Sequence, residues 1–282
     1  MANAIKGIDH CVILVRDLDA ARERIASLGF TVTPRGRHSD HMGTANHCIM
    51  LRQAYFEVLS VLQPTAFNEP WRRKLAQREG LNAVPITSDD VAAARAELVD
   101  RGLEPSALIN FSRPVDLPEG PSEAAFRIVT IPESQTPGTS MFVCQHLTRE
   151  VVWYQGYLDH PNGAKGVHGV TAVHERPGEV APAYEKIFGA AAVTVSDDAT
   201  MIDTGAGALN FLTPAAYGLR FPGITPDPAA IPPYLAALSI NVEDRDATAA
   251  YFKGHQIPHS VLPGGSLCVA PAKACGTLLE FL

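Results

Sequence analysis

One pattern recurs four times along this chain, and it constrains the architecture more than any single motif does. The first copy opens GIDHCVILVRDLDAARERIASLGF. Residues 8–15 predict a strand ending at Arg16-Asp17. Leu18, Ala21, Ile25 and Leu28 follow at helical spacing, and Gly29 is a C-terminal stop. Three short runs, FTVTP, ANHCIML and YFEVLSV, then predict three strands, with Gly43-Thr44 turning into the second of them. The order is strand, helix, three strands. A second copy begins GLNAVPITSDDVAAARAELVDRGL, where Gly102 stands 73 residues beyond Gly29 and Asp89-Asp90 starts the helix. It closes with SMFVCQHL (140–147), and the Pro-rich segment from Phe111 to Glu123 reads as a long loop. The third copy is GVHGVTAVHERPGEVAPAYEKIFG, followed by AAVTVS, ATMIDTG and GALNFLTP. The fourth is LAALSINVEDRDATAAYFKGHQIP and ends in GTLLEFL. A ferredoxin-like unit would need a second helix before its last strand, and none is predicted between Pro34 and Glu57. The expected class is α+β, built from four βαβββ modules. Modules one and two fill residues 1–147, a connector 148–165, and modules three and four 166–282. A second Pro-rich link runs from Ala215 to Pro233.

Several function classes are disfavoured. A net charge of −7 is wrong for a surface that tracks phosphates, so no nucleic-acid partner is expected. No run reaches about 18 apolar residues, so no membrane partner is expected either. The opening MANAIKGIDHCVILV has no basic start, and Asp9 and His10 interrupt its apolar run, so it does not read as a secretion signal. The five cysteines (Cys11, Cys48, Cys144, Cys268 and Cys275) form no CxxC pair and read as reduced, buried thiols of a cytoplasmic protein. No P-loop, Rossmann fingerprint, HExxH or GxSxG occurs, and Gly264 to Leu267 is too short a glycine stretch to cradle a phosphate.

The repeat, with a His early in the first strand and a Glu in the last, resembles the vicinal oxygen chelate superfamily. Its members include glyoxalase I, extradiol dioxygenases, fosfomycin-resistance enzymes and bleomycin-binding proteins. Residues 7–170 resemble its glyoxalase-like branch through IDHCVILVRDLDAA, the stretch with Arg37, His38 and Gly43 to Asn46, YFEVLS, Cys144 to His146, and HPNGA at His160 to Ala164. The resemblance implies that paired modules form two half-open mixed-sheet barrels with helices outside. It also implies a divalent metal (Mn, Fe, Zn or Ni) held by His10 and Glu57 inside the first. Strand alternation puts His10 with Val12 and Leu14, and Glu57 with Tyr55 and Leu59. The alternative for His10 and Glu57 is a buried hydrogen-bonded pair.

The other modules depart from that template. Module two has Ala83 where His10 would fall, and offers Gln145 or His146 near its end as a third ligand. Module three has His168 but Asn210 at its close, while module four has Ala237 and then Glu280. His168 and Glu280 are the second-half candidates, against a core histidine and a salt-bridged carboxylate. The second histidine that an extradiol dioxygenase needs is missing there. Were module one to pair with module four, Glu280 would join His10 and Glu57. His38 and His41 are candidate acid–base or ligand residues, or else a solvated loop. Asn46 is a candidate for binding a substrate oxygen. Trp153 and Tyr154 would close a pocket mouth or join the halves, and HPNG is first a turn. The function expected is a metal-dependent lyase or isomerase that acts on a small oxygenated substrate through an oxyanion. The alternatives are an extradiol-type dioxygenase and a metal-free binding or resistance protein. A degenerate second half serving structure or a homodimer is compatible with either.

Overall fold

The computed structural model describes residues 4–224 and 229–282. Module one comprises β1 (His10–Leu14), α1 (Leu18–Ser27), β2 (Gly36–Arg37), β3 (Thr44–Met50) and β4 (Tyr55–Val61), after which α2 (Glu69–Gln77) leads onward. Module two comprises β5 (Gly80–Ala83), β6 (Ile86–Thr87), α3 (Val91–Asp100), β7 (Ile109–Leu117), β8 (Gly120–Ile131) and β9 (Met141–His146), and a short α4 (Arg149–Val152) follows. Module three runs β10 (Ala164–Val173), α5 (Ala181–Phe188), β11 (Val193–Val195), β12 (Ala199–Asp203) and β13 (Ala208–Leu212), followed by α6 (Pro214–Arg220). Module four runs β14 (Tyr234–Val242), α7 (Arg245–Gly254), β15 (Ser260–Val261), β16 (Leu267–Val269) and β17 (Leu278–Phe281). This is the α+β arrangement of four βαβββ modules that the repeat predicts. Within the expected Pro-rich link, α6 is a helix, and residues 225–228 lie outside the described residues.

Local chemistry explains the repeated strand-to-helix corner. Asp17, Asp90 and Asp244 each precede a helix in extended conformation, and each accepts from backbone N–H groups of the first turn. Such a cap satisfies donors that the helix itself leaves unpaired. Past the first and second of these helices, Gly29 and Gly102 take φ of 84° and 78°, where a Cβ would be strained.

Strand pairing fixes which modules belong together. β1 runs antiparallel to β5, and β10 antiparallel to β14. Module one therefore pairs with module two and module three with module four, so Glu280 is not brought to His10. The second half is one eight-stranded sheet. The first half splits where β5 gives way to β6, into sheets ordered β2-β3-β4-β1-β5 and β6-β9-β8-β7, joined by bridges at Ile8–Ile86 and Ala83–Ser140. None of these sheets closes into a barrel.

The sheet faces toward the helices share one core that crosses both halves, with Ile13, Ile25 and Phe56 in the same cluster as Tyr184, Phe252 and Phe281. The opposite, concave faces are covered by the linking segments. In the second half Tyr217 and Phe221 pack against Ala237, Cys268 and Leu278 and fill the concavity. In the first half α2 leaves space beneath it.

Two expectations fail. Residues 30–34 (FTVTP) form no strand, and the short β2 follows them at Gly36–Arg37. Phe111 to Glu123 is not a loop but the core of the long β7–β8 hairpin, which turns between Leu117 and Gly120. Half-buried and exposed positions alternate from Ile109 to Leu117, and apolar and polar residues alternate with them except at Arg113, which is half-buried, and Pro114, which is exposed. β7 is an edge strand, where Pro114 is tolerated because a missing N–H breaks no inner ladder.

Candidate functional site

A cavity of about 460 Å³ opens between the two first-half sheets and α2. That is an ordinary size for a small-molecule site. Its walls are largely apolar, with Tyr55, Phe111, Phe126 and Phe142 among them, and the polar groups His10, His38, Asn46, Glu57 and Arg113 are set into that lining.

Parallel pairing shows how His10 and Glu57 meet. His10 lies opposite Tyr55 and Val12 opposite Glu57, so His10 and Glu57 are diagonal neighbours on one face of adjacent strands. The same geometry locates the corresponding pair in every module. Ala83 lies opposite Ser140 with Phe142 two residues on, Gly169 opposite Ala208 with Asn210 two on, and Ala237 opposite Leu278 with Glu280 two on. Only module one carries a donor at both positions. The register corrects two assignments. Gly169, not His168, stands at the first-strand position of module three, and His168 is exposed. In module two the closing position belongs to Phe142. Gln145 points to the other face, where it accepts from Val91 N–H and donates to Asp89 O at the start of α3.

His146 reaches the site by a different route. Buried Asp9 lies between two imidazoles, 2.5 Å from His10 Nδ1 and 3.0 Å from His146 Nε2. Burial alone would raise the Asp9 pKa, but the two histidines outweigh it and hold the carboxyl well below the usual range. As an acceptor-only carboxylate, Asp9 accepts a hydrogen bond from His10 Nδ1–H, which turns Nε2 of that ring away from Asp9. The ring is stacked on Tyr55 at 4.5 Å. His146 Nδ1 is buried without a partner. Trp153 packs edge-on against His146 at 4.9 Å and donates to Leu51 O, so it sits beneath this cluster and not at the cavity mouth. Tyr154 donates to Glu119. Neither residue lines the cavity, and these contacts all lie in the first half.

Asn46 donates to Glu57 Oε2, and its own Oδ1 is buried without a partner. His38 Nδ1 lies 2.8 Å from Thr44 Oγ1, and burial together with Arg113 pushes the His38 pKa down to about 3, so the ring is neutral near pH 7. His41 is exposed beside Phe67 and does not line the cavity. In the connector, His160 accepts from Thr31 N–H and faces Met50 O at 2.8 Å, while Asn162 binds Leu28 O, so HPNG is a structural staple. Glu280 is fully buried and hydrogen-bonded to Arg220, Ser239 and Ser266.

Two donor sets can be tested against a divalent metal. Among the described residues, the group of three or more His, Cys, Asp or Glu donors lying within 4.8 Å of one another is Asp9, Cys144 and His146. It fits poorly. Burial drives the Cys144 thiol well up, with Asp9 and Glu57 adding to the effect, and Asp9 is already taken by two imidazoles. The second set is His10, Glu57 and His38 on the cavity wall. It fits in donor chemistry, as two imidazoles and a carboxylate suit a first-row divalent ion, but its ligating atoms do not all lie within 4.8 Å of one another in this structure. Asp9 on the far nitrogen of His10 is the outer partner that a metal-bound imidazole usually has.

Sequence reasoning missed Asp9 and Arg113. Asp9 stands one residue before β1, the alternation expected over residues 8–15 puts it on the face away from His10, and its partner His146 is 137 residues away. The DH dipeptide was the one signal available.

Residues 8–188 match the family model described as a glyoxalase-like domain. A hypothetical protein from Staphylococcus aureus shares the fold at 12% identity, over 99% of both chains, with a TM-score of 0.70. A mutant of 4-hydroxymandelate synthase from Streptomyces coelicolor does so at 12% identity, over 99% of this chain and 92% of that one, with a TM-score of 0.62. A methylmalonyl-CoA epimerase from Mycobacterium tuberculosis aligns with 51% of this chain and 91% of its own at 17% identity, with a TM-score of 0.40. A search of curated proteins returned no match.

Proposed function

This chain belongs to the glyoxalase-like domain family of the vicinal oxygen chelate superfamily, and from that premise we propose that it is an enzyme moving a proton on a small oxygenated substrate in the N-terminal cavity. The reaction class is lyase or isomerase, through an oxyanion. The observation that carries this reading is the pairing of His10, its tautomer set by Asp9, with Glu57 on the wall of a cavity otherwise mostly apolar. Asn46 engages one Glu57 oxygen and leaves the other to accept a proton or to ligate. Neutral His38 offers a lone pair from the same wall. His10, Glu57 and His38 are the residues that would hold a divalent ion, which when bound supplies Lewis-acid stabilisation of the oxyanion. The apolar part of the wall shields the reacting carbon from water and strengthens each charge interaction.

The test is a metal inventory by mass spectrometry. The wild-type chain should carry about one transition-metal ion, and a His10→Ala/Glu57→Ala variant roughly tenfold less or lower still. Equal metal in both would sink the reading. A second reading, a metal-free binding protein, is favoured by one observation: His10 and Glu57 are each already hydrogen-bonded inside the protein. It predicts ligand-induced thermal stabilisation that is indifferent to added Mn²⁺. Stabilisation that requires Mn²⁺ would decide for the enzyme.

A further inference from the structure

The cavity lining holds two cationic side chains, and only one is neutralised. Arg73 is paired with Glu69 at 3.1 Å. The Arg113 side chain, half-buried on β7, makes neither a hydrogen bond nor an ion pair within the described residues. A guanidinium facing an apolar cavity without a partner loses solvation with nothing gained in return. The second observation is independent of Arg113. Asn46 is 3% exposed and its Oδ1 has no partner. The two groups are adjacent: a Cβ placed on Gly36 would lie 2.5 Å from Asn46 Oδ1 and 2.8 Å from Arg113 Nη1. Glycine at position 36 leaves both side chains room to converge. An acceptor and a fork of cationic donors side by side ask for a ligand that carries an anion and, next to it, a hydroxyl hydrogen.

We propose that Arg113 and Asn46 form the anchoring subsite for a small aryl- or alkyl-substituted hydroxycarboxylate, with Arg113 pairing the carboxylate and Asn46 Oδ1 accepting from the hydroxyl. The carbon skeleton then lies on Phe111, Phe126, Ile128 and Phe142, which line the same cavity. The guanidinium fork matches the two carboxylate oxygens, whereas a lysine ammonium would meet them as a point charge. This assignment rests on the reading of the cavity as a substrate site and names the class of substrate that it takes.

Calorimetric titration of the full chain tests the assignment, with 3-phenyllactate, 3-phenylpropanoate and the amides of both as probes. The acids should bind at least about tenfold more tightly than their amides, and phenyllactate more tightly than phenylpropanoate. Arg113→Met should lower acid affinity by about tenfold or more while leaving the amides unchanged, which also reports that the variant is folded. Arg113→Lys should recover only part of the loss. Equal binding of acid and amide by the wild type, no binding of any probe, or unchanged acid affinity in Arg113→Met overturns the proposal. The same titration on the His10→Ala/Glu57→Ala variant separates the two readings. There acid binding should persist while metal is lost, so the anchor and the metal chemistry fail independently.

Discussion

At the residue scale, Asp9 sets what the histidines can do. One buried carboxylate accepts from His10 on one side and His146 on the other, and each imidazole is thereby fixed in ring orientation and tautomer. Asp9→Asn has nearly the same shape but a single acceptor oxygen and an amide that donates. Activity on any substrate identified should fall by roughly 100-fold or more in kcat, with a smaller change in KM, because orientation of the imidazole is lost while the cavity stays intact. A loss confined to KM would contradict this role. His160 offers a second, structural prediction. Burial holds its pKa below the ordinary value, and a protonated ring could no longer accept from Thr31 N–H. A lowered folded pKa means that the unfolded chain binds the proton more readily, so this contribution is complete above about pH 6.5 and is lost as pH falls below it. Between pH 7.5 and 5, Tm of the wild type should drop more steeply than Tm of His160→Gln. Parallel slopes would show that the histidine is not coupled to folding. His10 and Glu57 were singled out by the family resemblance, and alternation along each strand then assigned their faces. Asp9 and Arg113 were not, since alternation turns the first away from His10 and the second acts through a strand pairing made far along the chain.

At the element scale, the strand–helix corners ahead of α1 and α3 were legible because Asp17 and Asp90 act on backbone groups two or three residues away, and Asp244 repeats the arrangement ahead of α7. The β7–β8 hairpin was not, because Pro114 and Pro121 are loop signals locally and become tolerable only where no further strand pairs, on edge strand β7 and in the part of β8 beyond β9, which is a property of the assembled sheet. Two equivalent connectors had opposite fates. α2 spans the first concavity and leaves about 460 Å³ beneath it. The segment around α6 sends Tyr217 and Phe221 into the second. Phe221 is fully buried, so Phe221→Ala should cost about 3–5 kcal/mol by denaturant unfolding. Metal content and probe binding in the first half should not change. A variant that loses both stability and binding would mean that the two halves communicate through this connector.

At the scale of the whole molecule, the helix-side core runs without a break from Ile5 to Phe281. Arg101 of α3 donates to Ile187 O of α5, and Arg78 donates to Leu235 O of β14, tying the halves by backbone contacts as well. The chain is therefore expected to melt in one calorimetric transition, with calorimetric and van't Hoff enthalpies in agreement. Two resolved transitions would contradict a shared core. The filled second half bears on a different quantity. Glu280 holds the place of Glu57, but its carboxylate is already met by the Arg220 guanidinium at 2.9 Å, and aromatic rings occupy the space beside it. An internal side chain thus acts as a permanent tenant of one of two duplicated sites. Titrations of this protein should accordingly saturate at a stoichiometry of one equivalent per chain, and a binding curve should carry no sign of cooperativity between paired sites within one chain.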